Sequence, residues 1–240
     1  MSNIVVLNSL SHRKLRVHAQ PAAQYGDNQR FVAVVVNEFS PLAMHYPILF
    51  SKDADTGQFY CGAMLGFDAG ENLFLDEHLD RGLYRPLNLQ RGPFFTSGSD
   101  LAIDLEHPRV APSGEQALFT EAGEPTRYLQ SIMGLMRDLR PGLERTRIFI
   151  ETLLGLKLIE PMTITARFDD GSDREVTGLY TVNRDQLKEL ADADVVDLFH
   201  RGYLQLIYLM LASRNHVSVL AQKKNRRFLP GSDSRTSGPA

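Results

Sequence analysis

Thr126-Arg127-Tyr128-Leu129-Gln130-Ser131-Ile132-Met133-Gly134-Leu135-Met136-Arg137-Asp138-Leu139-Arg140-Pro141-Gly142 is the stretch on which the fold class turns. Tyr128, Ile132, Leu135 and Leu139 recur at helical spacing, Leu129, Met133 and Met136 fill the same stripe, and Gln130, Arg137 and Asp138 lie off it. Such a stripe predicts an amphipathic helix. Arg140-Pro141-Gly142 predicts its end, because proline lacks the amide needed to extend a helix and glycine permits the turn. A second helix follows, with Phe149, Leu153 and Leu156 on one apolar line and Ile150 and Leu154 on its neighbour. The short connection predicts an antiparallel helical hairpin.

The chain on either side reads differently. Phe31-Val32-Ala33-Val34-Val35-Val36 is a continuous, β-branched run, the pattern of a strand covered on both faces. Phe59 to Phe67 and Asn72 to Leu75 are apolar runs separated by Asp68-Ala69-Gly70-Glu71, which reads as a hairpin turn. Beyond Pro161, Met162 to Phe168 and Glu175 to Val182 predict two strands joined across Asp169-Asp170-Gly171-Ser172-Asp173. Asn183 or Asp185 suits the cap of a short helix, and Asp192 or Asp194 the cap of the next, with Gly202 closing it. A last helix is expected from about Tyr203 to Gln222. The expected architecture is α+β: a strand-rich N-terminal half, a central antiparallel helical hairpin, a β-hairpin and C-terminal helices. One domain over 1–226 accommodates this, strand-rich over 1–125 and helix-rich over 126–226, with 227–240 read as a disordered tail.

Composition excludes several classes. With 240 residues, 43% hydrophobic and 23% charged, the chain holds enough apolar material for a core. A formal net charge of -3 gives no general attraction for nucleic acid or anionic membrane. The basic run Lys223-Lys224-Asn225-Arg226-Arg227 reads as charges suited to a helix C-terminus, and nucleic acid is disfavoured as a partner. The apolar run Tyr203 to Leu211 is far shorter than the about 20 residues that span a membrane, so it is expected to be a buried helix and no membrane insertion is expected. Met1 to Arg16 shows no basic segment followed by a long apolar core, so no secretory signal is expected and a cytoplasmic location follows. Cys61 is the single cysteine, which precludes an intramolecular disulfide and reads as a buried, inert thiol.

Residues that would carry chemistry are sparse. Neither the Gly-x-Ser-x-Gly elbow, the Gly-x-Gly-x-x-Gly loop nor the Walker pattern occurs. Ser97-Gly98-Ser99-Asp100 reads as a turn, and nothing makes Glu106, Glu115, Glu121 and Glu124 converge. His78-Leu79-Asp80 matches the His-x-Asp part of a facial triad for Fe(II), with His107, His200 or His216 as third ligand. That pattern carries the alternative reading, a non-haem iron oxygenase or another modifying enzyme using His78 and Asp80. The residues otherwise predict no cofactor and lean away from an enzyme.

Five blocks, taken in order, say more than any one of them. These are His45-Tyr46-Pro47-Ile48, Gly70-Glu71-Asn72-Leu73-Phe74, Arg91-Gly92-Pro93-Phe94-Phe95, Leu158-Ile159-Glu160-Pro161 and Leu206-Ile207-Tyr208. Together with Gly123-Glu124-Pro125-Thr126, their order and spacing resemble the SapC family of bacterial proteins from about Val32 to Leu220. The family is named for a link to surface-layer protein secretion, and is distinct from the peptide-transport permease of the same name. The resemblance implies an accessory protein that binds a protein or peptide partner in surface-protein export or modification, and supplies no catalytic residues. The partner surface expected on this reading joins Tyr46, Glu71, Asn72, Tyr84, Arg91 and Phe94. Glu71→Ala and Arg91→Ala are expected to abolish capture without disturbing the fold. The Gly-Glu-Asn block also has a purely local explanation, a turn in which Gly70 supplies backbone freedom and Asn72 bonds to nearby backbone.

Overall fold

The structure is a computed structural model that describes residues 2–76 and 83–228. In chain order its strands are β1 (Ile4–Val6), β2 (Arg16–Val17), β3 (Phe31–Ala33), β4 (Ile48–Lys52), β5 (Phe59–Met64), β6 (Phe94–Ser97), β7 (Asp100–Asp104), β8 (Gln116–Ala117), β9 (Ile159–Arg167) and β10 (Asp173–Val182). Its α-helices are α1 (Phe39–Ala43), α2 (Leu87–Gln90), α3 (Arg127–Gly155), α4 (Arg184–Lys188), α5 (Asp192–His200), α6 (Tyr203–Ser213) and α7 (His216–Arg227). The fold is α+β, as the periodicities predict. Among the described residues no helix is long and apolar enough to cross a membrane.

Along the chain two compact units alternate: one is built from Met1–Asn28 and Leu75–Glu144, the other from Gln29–Phe74 and Arg145–Ala240. The first unit holds the sheet β1-β7-β6 and the small pair β2-β8. Its core gathers Val17, Phe94, Ile103, Leu118, Leu129 and Leu139, all buried. The second holds the five-stranded antiparallel sheet β3-β5-β4-β10-β9. Phe149 is the aromatic centre of its core, with rings of Phe39, Phe50 and Tyr203 at 6.2, 6.4 and 5.2 Å.

The predicted helical hairpin is replaced by one helix. α3 runs 29 residues with Pro141 inside it. A proline removes one intrahelical hydrogen bond and crowds the preceding turn, at a cost of about 3 kcal/mol. Burial of Leu129, Ile132, Met136 and Leu139 before it, and of Phe149, Ile150 and Leu153 after it, holds both arms helical. The predicted helix from Tyr203 to Gln222 is conversely two, α6 and α7, divided at Arg214 and Asn215. The strand pair expected beyond Pro161 forms but starts before it, with Pro161 inside β9 opposite Tyr180; the pairing runs from Ile159 opposite Val182 to Arg167 opposite Asp173. Asn183 caps α4, its side chain accepting from the Asp185 and Gln186 amides. Residues 72–75 form no strand, so Asp68–Glu71 is not a hairpin turn. The expected tail lies outside the described residues from position 229 onward.

Two expectations about stability and reactivity follow. Gly114 lies against β2, where an added Cβ would sit 2.5 Å from the Val17 amide nitrogen and 2.6 Å from its carbonyl carbon. Backbone inside a strand pair cannot step aside, so Gly114→Ala is expected to cost about 2 kcal/mol in urea unfolding. Cys61 is fully buried in β5, and burial pushes its thiol well above the usual range. A thiol-specific reagent is therefore expected to label native protein only at the rate of unfolding; fast stoichiometric labelling at neutral pH would contradict the buried placement.

Candidate functional site

The Gly-Glu-Asn block closes a loop in the second unit. β5 ends at Met64, and the chain turns back so that the Leu73 amide donates to the Leu65 carbonyl at 2.8 Å. Gly70 sits at φ 73°, a left-handed conformation that favours glycine. Glu71 Oε2 accepts from the Phe67 and Asp68 amides at 2.8 and 3.2 Å, holding the turn from inside. Gly66 has no room for a side chain, since a Cβ there would lie 2.6 Å from the Glu71 carbonyl oxygen. Asn72 Oδ1 accepts from the Phe74 amide at 2.9 Å.

The basic run at the end of α7 is the partner of this loop. Lys224 is 5% exposed and donates to Asp68 Oδ2 and, at 2.8 Å, to Glu71 Oε1. Arg227 donates to the Asn72 carbonyl at 3.0 Å, and the Asp169 amide donates to Asn225 Oδ1 at 3.2 Å. Lys223 lies 4.7 Å from the Phe74 ring centre and Lys224 5.4 Å from that of Phe168. Arg174 closes the network on Asp68 Oδ1 at 2.7 Å. The Lys224 hydrogen bond, opposed by burial and helped by Arg174, holds the Asp68 carboxyl below its usual range. These charges do more than suit a helix end: they tie α7 to the loop.

Of the six residues expected at a partner surface, the structure places Tyr46, Glu71 and Asn72 in the second unit and Tyr84, Arg91 and Phe94 in the first. Tyr46 and Phe94 are fully buried and Asn72 is 3% exposed. The Tyr46 ring meets Phe74 edge-on at 4.7 Å, and Phe94 packs 6.3 Å from Tyr128. Arg91 is half-buried, donating to Asn88 Oδ1 and to the Phe94 carbonyl and lying 4.4 Å over Phe95. Tyr84 is also half-buried. Because Glu71 supports a buried lysine, Glu71→Ala disturbs the loop itself and is not the clean probe that the sequence suggests.

The first unit has a charged centre of its own. Asp27, 2% exposed, accepts from Arg85 at 2.7 Å, from Arg109 and from the Ala22 amide at 2.9 Å. Arg109 also donates to the His18 and Gln20 carbonyls at 2.7 and 2.9 Å. Glu115 accepts from the Ala19 and Gln20 amides and pairs with His18 at 2.9 Å. Burial would raise its carboxyl, but these hydrogen bonds and its own amide together hold it down at about 2.

His78 and Asp80 lie outside the described residues. Of the histidines offered as third ligand, His216 Nε2 lies 2.9 Å from the Ala43 carbonyl, His107 is half-buried and His200 is exposed at the end of α5. Among the described residues no group of three or more His, Cys, Asp or Glu is placed to hold a metal ion.

An outward feature of the second unit was expected to be core. α6 reads Tyr203-Leu204-Gln205-Leu206-Ile207-Tyr208-Leu209-Met210-Leu211-Ala212-Ser213, yet buries only Ile207, Met210 and Ser213. Tyr208 is 59% exposed, and on α5 Val196 and Phe199 are 52% and 68% exposed. A helix that is apolar on nearly every side is normally enclosed; this one is half covered. The sequence signal was the absence of a polar face on α6, which marks apolar surface without saying what covers it.

Comparison with known families matches residues 7–220 to the SapC family model. No curated protein matches the chain. No solved structure matches it either.

Proposed function

The chain belongs to the SapC family, and from that premise we propose that it is an accessory protein that binds a protein partner in bacterial surface-protein export or modification. The half-covered α6, with Tyr208 exposed on it and Val196 and Phe199 exposed on the preceding α5, is the observation that supports this reading. Exposed apolar side chains of this size on consecutive helices mark surfaces that another protein covers. Aromatic residues such as Phe199 and Tyr208 bring large contact area at small entropic cost, the usual source of binding hot spots. The polar residues of the Gly-Glu-Asn block act in this reading as positioning groups: they fix α7 to the loop and thereby support the helices next to it.

The test is partner capture from bacterial cells by the intact chain and by a Phe199→Asp/Tyr208→Asp double variant. Both side chains are mostly exposed, so the variant is expected to keep its thermal unfolding midpoint. The expected result is stoichiometric recovery of a polypeptide that is itself exported or displayed at the cell surface, lost in the double variant. Equal recovery by the two proteins removes the helical surface.

A further inference from the structure

β9 is one of the two edge strands of the five-stranded sheet, β3 being the other: among the described residues it pairs with β10 on one side and with no strand on the other. It is nine residues long, and open edges of that length are templates for another chain unless something blunts them. Residues of this strand also line a groove. One wall is β9 from Met162 to Thr165, the other is the turn from α6 into α7, and the space between is about 440 Å³. A second trough of about 640 Å³ carries on past Ala166 and Arg167, sharing Thr165, Arg214, Asn215 and Val217 with the first. Thr163, Thr165 and Arg167 are exposed in alternation with the buried or half-buried Ile164 and Ala166, so the strand presents a regular face.

The groove has one sign of charge. Arg184 and Arg214 line it, Arg167 lines its continuation, and no aspartate or glutamate lines either part. Among the described residues neither Arg184 nor Arg214 has an ion-pair partner, while Arg167 reaches Asp173 only at 3.9 Å with both side chains mostly exposed. Unpaired backbone on one wall and an excess of arginine around it suit a ligand with extended backbone and carboxylates. We infer that this groove takes an extended acidic peptide of another protein, added as a strand beside β9 with its carboxylates toward Arg184 and Arg214. The inference rests on the reading of the chain as a protein-binding module and names the chemistry and mode of one contact. The chain's own residues 229–240 are a poor match, since they carry one aspartate, Asp233, balanced by Arg235.

The probe is a fluorescein-labelled ten-residue peptide alternating Glu and Val, followed by anisotropy with the full chain at low salt. Its controls are the Lys-Val counterpart and a Glu-Val peptide N-methylated at alternate amides. The acidic peptide is expected to bind and the basic one not. An Arg184→Glu/Arg214→Glu variant is expected to weaken binding about tenfold, the order that two exposed charge contacts supply. N-methylation is expected to weaken it further, and amides of β9 in the unaltered chain are expected to gain protection from hydrogen exchange on binding. Failure of the acidic peptide to bind, equal binding of the N-methylated peptide, binding only after removal of residues 229–240, or a free protein that is already dimeric with β9 protected would each overturn the inference. If the peptide fails while the Phe199/Tyr208 variant still loses partner capture, the groove is removed and the broader function stands. If both fail, both are removed.

Discussion

Asp27→Asn is expected to cost about 3–5 kcal/mol in denaturant unfolding, the range for removing one member of a buried ion-pair network. Asp27 is a single carboxylate, 2% exposed, that faces the guanidinium groups of Arg85 and Arg109. Arg109 is itself 3% exposed at the side chain, and its remaining hydrogen bonds go to the His18 and Gln20 carbonyls. Asparagine keeps the size and loses the charge. Two cations then remain close together in a poorly solvated place, one of them with a buried Nε that has no hydrogen-bond partner among the described residues. Burial lowers the proton affinity of Arg85, and the Asp27 charge is what chiefly opposes it. A second substitution separates charge from packing: Asp27→Asn with Arg109→Met removes the excess cation and is expected to recover a good part of the loss. A single-variant loss below about 1 kcal/mol would mean that water already screens the site as at a surface.

Lys224→Met is expected to cost about 2–3 kcal/mol, less than a fully enclosed pair because Asp68 is 40% exposed at its side chain. The methionine leaves Glu71, only 14% exposed, without the cation that it faces. The effect carries a pH signature. The folded Asp68 carboxyl lies below its ordinary value of 3.8, mainly through the Lys224 hydrogen bond. A depressed carboxylate contributes stability that is whole above the unfolded value and disappears as pH falls through the folded one. Stability curves of the unaltered chain and the variant should therefore be well separated at neutral pH and draw together on acidification below about pH 4. Curves that stay parallel into that range would show that the lysine is held by packing and not by charge.

These two clusters show which parts of the molecule could be read from the residues. The β9–β10 pair was legible because its apolar residues alternate and Asp170-Gly171 marks the turn. The Asn183 cap was legible because side chain and helix start are adjacent. Pro141 misled because its effect is local whereas the burial that holds α3 together is not. The division between α6 and α7 carries neither glycine nor proline at Arg214-Asn215, so nothing announced it. The Gly-Glu-Asn block was legible as a turn, but its partner Lys224 stands 153 residues from Glu71, and a charge pattern names no address. The basic run consequently read as compatible with a helix end when Lys224 and Arg227 are spent on the loop. The half-covered α6 shows the same limit from the other side, since an apolar helix in sequence is silent about how far its own chain encloses it.

β4 stands at the centre of the second unit's sheet, between β5 and β10. The Ser51 hydroxyl donates to the Gly178 carbonyl across a separation of 127 residues. At ordinary rates of synthesis that distance is on the order of ten seconds of ribosome time. Through that interval β3, β4 and β5 exist as a nascent sheet whose inner strand is temporarily its edge. The strand that ends up at the centre is thus the one that must wait, one side unpaired, for β10 to emerge.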